Sequence, residues 1–390
     1  MKHRPTIESM KSTPVVTPYV EINPALIALR CIRCDSRFPL VDLPRGCPSC
    51  AAAGVPASLA CVYSSRPSSL AQPRDWLAYR RSVNLGEGHT PQIDLPYLAK
   101  DLGIRRLTVK NEAMNPTGSH KDRMSSQAVS RALDIGAGTV VLASSGNAAV
   151  SAATYCAAAG LICEIATYGN MPAPYVRELS RLGAIRVQFA AAHQRWLHVR
   201  ERVERDGAFA LTNFNLPAVG SPVFGVDAFK AVAIECAADG PVPEHVVVPS
   251  ARGDLLWGLH EGFVQLASAG LIERPPKLWA VEPFARLSRV LEGACLQGEF
   301  AGSTEQFSIA GSTVTYQLLR AVQDSGGGAV VVPDEEARRG LAALAQEGLH
   351  GELCTGATVS GLKSLIRQGA IRPEADVMLL FTARGERGAH

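Results

Sequence analysis

No apolar run in this chain reaches the roughly 18 residues that a membrane-spanning helix requires. Acidic and basic residues nearly balance, 36 against 39, for a net charge of +3, and no basic block stands out. The composition therefore argues against both a membrane-embedded protein and a nucleic-acid-binding surface. The segment Met1 to Thr13 is polar and lacks the apolar centre of a secretory signal, which predicts a cytoplasmic protein. No internal repeat and no long low-complexity tract is present. Six of the ten cysteines (Cys61, Cys156, Cys163, Cys236, Cys295 and Cys354) are scattered in mostly apolar company. They fit reduced, buried thiols rather than a disulfide framework.

What is present describes a globular protein with ample core. The 390 residues are 47% apolar and 19% charged, enough for two domains and a small appendage. Residues 1–25 carry four prolines and read as a flexible arm. Cys31-x-x-Cys34 and Cys47-x-x-Cys50 follow, separated by the twelve residues 35–46. Two such pairs on short turns can offer four thiolates to a tetrahedral zinc, and a site closed by four cysteines would be structural. The alternative is a knuckle of reduced thiols without metal. Ala51 to Pro73 reads as a connector.

From about residue 85 the pattern alternates between strand and helix. Strands are expected at 107–110, 139–143, 161–166, 245–249, 277–281 and 377–381. Helices are expected at 125–135, 148–159 and 174–182 and from Leu255 onward. That alternation predicts parallel sheets in an α/β fold.

Three stretches carry candidate chemistry. Asn115-Pro-Thr-Gly-Ser-His-Lys-Asp-Arg123 places Lys121 behind a turn and ahead of a helix-compatible segment. A lysine desolvated there loses its proton more readily, and its neutral amine can attack a carbonyl. Ser144-Ser-Gly-Asn147 lies between a strand end and a helix start, where backbone N–H groups suit a carboxylate. Ser250-Ala-Arg-Gly-Asp254 occupies a similar junction, where small residues let the backbone approach a phosphate.

In order and spacing these stretches resemble the fold-type II pyridoxal-phosphate enzymes, and among them the threonine synthase group. Leu85-Gly-Glu-Gly-His-Thr-Pro91, Lys110-Asn-Glu112 before the lysine stretch, Ser144-Ser-Gly-Asn-Ala-Ala149 and Phe381-Thr-Ala-Arg-Gly385 are similar to that group's motifs. The resemblance spans residues 31–385. It implies a tryptophan synthase beta-like fold of two open, mixed sheets flanked by helices, with a zinc-ribbon-like knuckle at the N-terminus. The implied divisions are 26–80 for knuckle and connector, 81–123 with 211–390 for a large cofactor-binding domain, and 124–210 for a small mobile domain. The implied cofactor is pyridoxal 5'-phosphate, with zinc as a structural metal, and the implied assembly is a homodimer. Lys121 would hold the cofactor covalently and act as general base. Asn147 would bond the cofactor's phenolic oxygen. Ser250, Ala251, Arg252, Gly253 and Asp254 would hold its phosphate, and Thr382 would meet its pyridine nitrogen. Ser144, Ser145, Gly146 and Asn147 would receive the substrate carboxylate, with His120 nearby. A hydroxyl at Thr382 suits elimination and replacement better than transamination.

The sequence also departs from the group. His120 replaces a phenylalanine; it either packs like one or relays a proton. Ala148 stands in place of a threonine. Arg252 can add a charge-assisted bond to a phosphate, whereas Asp254 would repel one unless it turns away or caps the helix. Two cations that would bind a phosphorylated substrate align with Tyr175 and Pro222. The expected activity is therefore β- or γ-elimination or replacement on an amino acid other than phosphohomoserine. Alternatives are a threonine or serine dehydratase or ammonia-lyase, a cysteate-synthase-like replacement, and a non-catalytic cofactor-binding homologue.

Overall fold

The structure, a computed structural model, describes residues 19–169 and 171–385. The expected arm falls largely on residues 1–18, outside the described residues. Its remainder includes the short strand Glu21–Ile22, paired antiparallel with Tyr79–Arg81.

Two open sheets dominate. The first runs in the order Ile185–Phe189, Ile162–Tyr168, Thr139–Ala143, Phe209–Ala210, all parallel. The second runs in the order Gly328–Val331, Lys277–Glu282, His245–Pro249, Asp376–Phe381, Arg106–Asn111, Gln92–Asp94. Only its Gln92–Asp94 edge is antiparallel. The central strand His245-Val-Val-Val-Pro249 is buried throughout because helices cover both faces of the sheet. Val246 and Val248 pack with Leu256 and Leu259 on one side, and Val247 packs with Leu353 and Ala357 on the other. The parallel strands of this α/β architecture are those the alternation predicts, and the antiparallel Gln92–Asp94 edge makes the larger sheet mixed, as the resemblance implies.

The helix Lys121–Asp134 begins earlier than the sequence pattern suggests. Thr117 supplies the reason: its N–H donates to Asp122 Oδ2 at 2.6 Å and its hydroxyl to Asp122 Oδ1 at 2.5 Å. The turn thereby feeds directly into the first helical turn, and Lys121 becomes a helical residue.

The N-terminal appendage is a three-stranded antiparallel sheet in the order Arg37–Phe38, Leu26–Cys31, Leu59–Tyr63, with a short helix Pro48–Ala52. Among the described residues, no helix is long and apolar enough to cross a membrane.

Candidate active site

Four loops leave the C-terminal ends of parallel strands. These are the turn 115–120 after Arg106–Asn111, the Ser144 loop after Thr139–Ala143, the 250–254 loop after His245–Pro249, and Thr382 after Asp376–Phe381. In open parallel sheets this end faces the ligand crevice. Strand register fixes the neighbours: Phe381 pairs with Asn111, and Val247 with Leu379. The turn is then knitted to the last strand. His120 N–H donates to Thr382 O at 2.9 Å, and Ser119 bridges Ala383. Gly118 has φ +81°, and a Cβ there would lie 2.5 Å from Arg384 Nε, so this close crossing requires glycine.

Behind the lysine lies a closed ionic network. Arg123 Nε donates to Glu112 Oε2 at 2.6 Å and Arg123 Nη1 to Glu235 Oε1 at 2.6 Å. Lys110 Nζ lies 3.0 Å from Glu235 Oε2 and donates to Thr90 O at 2.7 Å. Thr90 Oγ1 donates to Glu112 Oε1 at 2.7 Å. Three motifs distant in sequence, 85–91, 110–112 and 115–123, therefore share one buried cluster. Burial opposes ionisation of Glu235, but Arg123 and Lys110 outweigh it and hold the carboxyl down to about 2.

In front of this cluster stands Lys121, half-buried, its Nζ 5.9 Å from the Phe229 ring centroid. Burial lowers its pKa, and Asp254 and Glu352 only partly oppose this. His120 packs as a phenylalanine would and also makes one polar contact, to a backbone carbonyl. Its ring packs against Phe229, tilted 39° with centroids 5.6 Å apart, and Nδ1 lies 3.1 Å from Thr382 O. Burial and the neighbouring Lys121 push its pKa well down, so the ring is neutral and Nδ1–H donates to that carbonyl. Cys354 Sγ lies 3.9 Å from Thr382 Oγ1 in a buried setting.

Glu352 is a site residue the sequence reading missed. Asn147 Nδ2 donates to Glu352 Oε1 at 3.2 Å, and Ser308 Oγ donates to Glu352 Oε2 at 2.9 Å. Tyr175 Oη donates to Asn147 Oδ1 at 3.2 Å. The two contacts orient the Asn147 amide from opposite sides. Burial raises the Glu352 pKa, so the carboxyl retains its proton more readily than usual. Tyr175 is buried at 1% exposure, so it is a positioning group for Asn147. Ser145 Oγ is buried and has no hydrogen-bond partner among the described residues.

In the 250–254 loop, Gly253 has φ +79°, and a Cβ there would lie 2.5 Å from Leu318. The backbone N–H groups of residues 251–254 find no backbone acceptor among the described residues. Arg286 Nη2 braces the loop by donating to Ser250 O at 2.9 Å. Asp254 turns away from the cleft: Ser221 Oγ donates to its Oδ2 at 2.6 Å, and Gln317 Nε2 donates to its Oδ1. Arg252 donates through Nε to Thr313 Oγ1 at 3.2 Å, and its guanidinium lies 4.8 Å over the Trp196 ring. It has no ion pair among the described residues. Burial, with Arg195 and Arg286 nearby, lowers its pKa to about 10.

The cysteine knuckle closes as its spacing suggests. The Sγ atoms of Cys31, Cys34, Cys47 and Cys50 all lie within 4.8 Å of one another. Cys31–Cys50 and Cys34–Cys47 are each separated by 3.6 Å. A tetrahedral zinc with bonds of about 2.3 Å places its sulfurs about 3.8 Å apart. The hydroxyl and amide of Ser36 lower the Cys34 pKa to about 6, which favours a thiolate at neutral pH.

On the helix Ala192–Asp206, His193 is exposed. His198 Nε2 lies 2.7 Å from Glu164 Oε1, a partner no local spacing reveals. Glu282 accepts from the N–H groups of Arg286, Leu287 and Ser288, so its carboxylate caps a helix.

The family described as "Pyridoxal-phosphate dependent enzyme" matches residues 83–383. Threonine synthase from Methanosarcina acetivorans is 28% identical over 382 residues, 91% of this chain and 90% of that relative. Among solved structures, maize serine racemase matches with a TM-score of 0.67 at 17% identity, covering 77% of this chain and 88% of that one. The processed threonine deaminase isoform 2 from Solanum lycopersicum matches with a TM-score of 0.64 at 18% identity, covering 76% and 84%.

Proposed function

The chain belongs to the pyridoxal-phosphate dependent enzymes, and from that premise we propose that it is a threonine synthase-like lyase or synthase. In this reading it removes or replaces a β- or γ-substituent of an amino acid, with a substrate other than phosphohomoserine. The observation that carries it is the position of Lys121: half-buried, without an ion pair among the described residues, where the strand-end loops converge. The residues present fit the cofactor. A phosphate would meet the N–H groups of residues 251–254, which have no backbone acceptor among the described residues, and the guanidinium of Arg252. The buried Ser145 Oγ, which has no hydrogen-bond partner among the described residues, fits a carboxylate contact.

When bound, pyridoxal phosphate supplies the electron sink for charge developing at the substrate Cα. Lys121, with its lowered pKa, takes the proton from that carbon. Asn147, oriented by Tyr175 and Glu352, offers its remaining amide N–H to the phenolic oxygen. Thr382, tied to neutral His120 through its carbonyl, offers a hydroxyl to the pyridine nitrogen. Ser144, Ser145 and Gly146 hold the substrate carboxylate. With Tyr175 and Pro222 uncharged, a phosphorylated side chain lacks those two cations. A dehydratase releasing a keto acid would use the same groups. The segment 124–210 serves as the small mobile domain, the knuckle holds a structural zinc, and the assembly is a homodimer.

The test is a visible absorbance scan of the purified protein, repeated after borohydride and with Lys121→Ala. A lysine-dependent band is expected, and its absence defeats the reading. A screen of amino acids with product analysis then separates replacement from keto-acid release. Efficient threonine formation from phosphohomoserine would overturn the substrate assignment.

A further inference from the structure

The cysteine knuckle and the 250–254 loop are joined by a continuous, buried set of contacts. Both cysteine turns grip residues 57 and 58: Cys47 N–H donates to Ala57 O at 2.9 Å, and Ile32 N–H donates to Ser58 O at 3.2 Å. Ser58 Oγ then donates to Gln317 Oε1 at 2.9 Å. Gln317 sits in the first turn of the helix Tyr316–Asp324 and is 1% exposed. Its Nε2 donates to Asp254 Oδ1 and, at 3.4 Å, to Arg252 O. The cap of that helix, Thr315, donates to Arg252 O at 2.5 Å. Two further links dock the knuckle on the same helix. The Arg33 guanidinium lies 3.8 Å over the Tyr316 ring, and Arg320 Nη1 donates to Ile32 O at 2.9 Å. Gly220 completes the seat, since a Cβ there would lie 2.7 Å from the Gln317 amide.

We infer that Gln317 is a positioning residue through which the knuckle sets the shape and charge of the phosphate-binding loop. The inference rests on the reading that residues 250–254 carry the cofactor phosphate. The amide acts in two ways. It holds the Asp254 carboxylate out of the cleft, where that charge would repel a phosphate dianion. It also steadies the Arg252 carbonyl, and so the direction in which the next N–H groups point. The acceptor-only Asp254 carboxylate and Arg252 carbonyl require Nε2 to face the loop, which leaves Oε1 to accept from the Ser58 hydroxyl, and that bond anchors the amide from the knuckle side. Four cysteines held together at the far end keep residues 57 and 58 in place.

The experiment titrates the full-length, cofactor-stripped protein with pyridoxal 5'-phosphate and, separately, with pyridoxal, which lacks the phosphate. Gln317→Leu is expected to weaken pyridoxal phosphate binding about tenfold and to leave pyridoxal binding unchanged. Ser58→Ala is expected to shift the same constant by a smaller factor, about threefold. Because Ser58 acts through Gln317, the double variant is expected to match Gln317→Leu alone. Amide hydrogen exchange across residues 251–256 is expected to quicken in both single variants. Equal losses for both ligands, or strictly additive losses in the double variant, would overturn the inference. So would unchanged phosphate selectivity in Gln317→Leu. Should Gln317→Leu not fold, Ser58→Ala with the exchange measurement decides alone. If wild-type protein binds neither ligand in a Lys121-dependent way, the underlying cofactor reading fails instead.

Discussion

Two groups of charge, one buried and one partly buried, flank the first turn of the Lys121 helix, and they are built on opposite terms. Behind the helix, Arg123, Lys110, Glu112 and Glu235 form ion pairs and hydrogen bonds among themselves. Burial opposes their charges, yet the pairing wins: Arg123 is pushed up and Glu235 held down. In front, Lys121, Arg252 and Glu352 make no ion pair among the described residues. There burial wins: the Lys121 and Arg252 pKa values are lowered and that of Glu352 is raised. The same desolvation acts on both sides, and only the supply of partners differs. Charges satisfied within the protein fix the fold, whereas charges left for a ligand mark the site.

The sharpest way to break this contrast is to exchange one residue from each side. Lys121→Ala is expected to cost about 10⁴-fold in turnover. It is also expected to raise stability at neutral pH. A lysine with a lowered folded-state pKa penalises folding wherever the unfolded chain holds the proton, and the penalty fades as pH rises toward 10.5. Urea denaturation at pH 7 and pH 10 measures this, and a large loss of stability would put Lys121 among the structural charges.

Glu235→Gln is expected to do the reverse, destabilising the fold by about 3 kcal/mol at neutral pH, because Arg123 keeps only Glu112 and Lys110 loses its buried carboxylate. The contribution of Glu235 is complete above the ordinary carboxylate pKa of 4.5 and is lost as pH falls toward about 2. The gap between variant and wild type should therefore narrow in acid. A pH-independent gap would mean that packing, not charge, is at stake.

A smaller effect is expected from Glu352→Gln. With its folded-state pKa raised, ionised Glu352 weakens the fold above pH 4.5, and the variant should gain stability there and lose the gain below it. Thermal melts across that range decide the matter.

The smallest effect is expected from His120→Phe. Ring packing against Phe229 survives and one hydrogen bond to Thr382 O is lost, at a cost of about 1 kcal/mol or less near pH 8. Below pH 6.5 the unfolded chain takes up a proton that buried His120 refuses. The variant should escape that part of the acid loss, and parallel acid-stability curves would show that His120 is not the responsible group.

Much of this arrangement is legible in the sequence because its signals are local. Strand-end loops carry their Ser, Gly, Asn and Lys within a few residues, and the cysteine pairs announce themselves by spacing. Asp254 could be flagged as a repulsive charge, but its turn toward Ser221 and Gln317 could not be read. Glu352 meets Asn147 across 205 residues of chain, and Ser58 meets Gln317 across 259. Neither pair has a periodicity or a motif, since only the packing of separate elements brings them together. Tyr175 stands out in the sequence only as an expected cation position, not as a support for Asn147.

The contact between Arg252 and Trp196 has a practical use. Trp76, Trp257 and Trp279 are each less than 10% exposed, while Trp196 is partly open and lies under a guanidinium from across the cleft. If the 124–210 segment moves as proposed, that cation leaves the indole face, and Trp196 emission becomes a built-in reporter of the separation. Stopped-flow emission, with Trp196→Phe as the blank, tests for that motion without an attached dye.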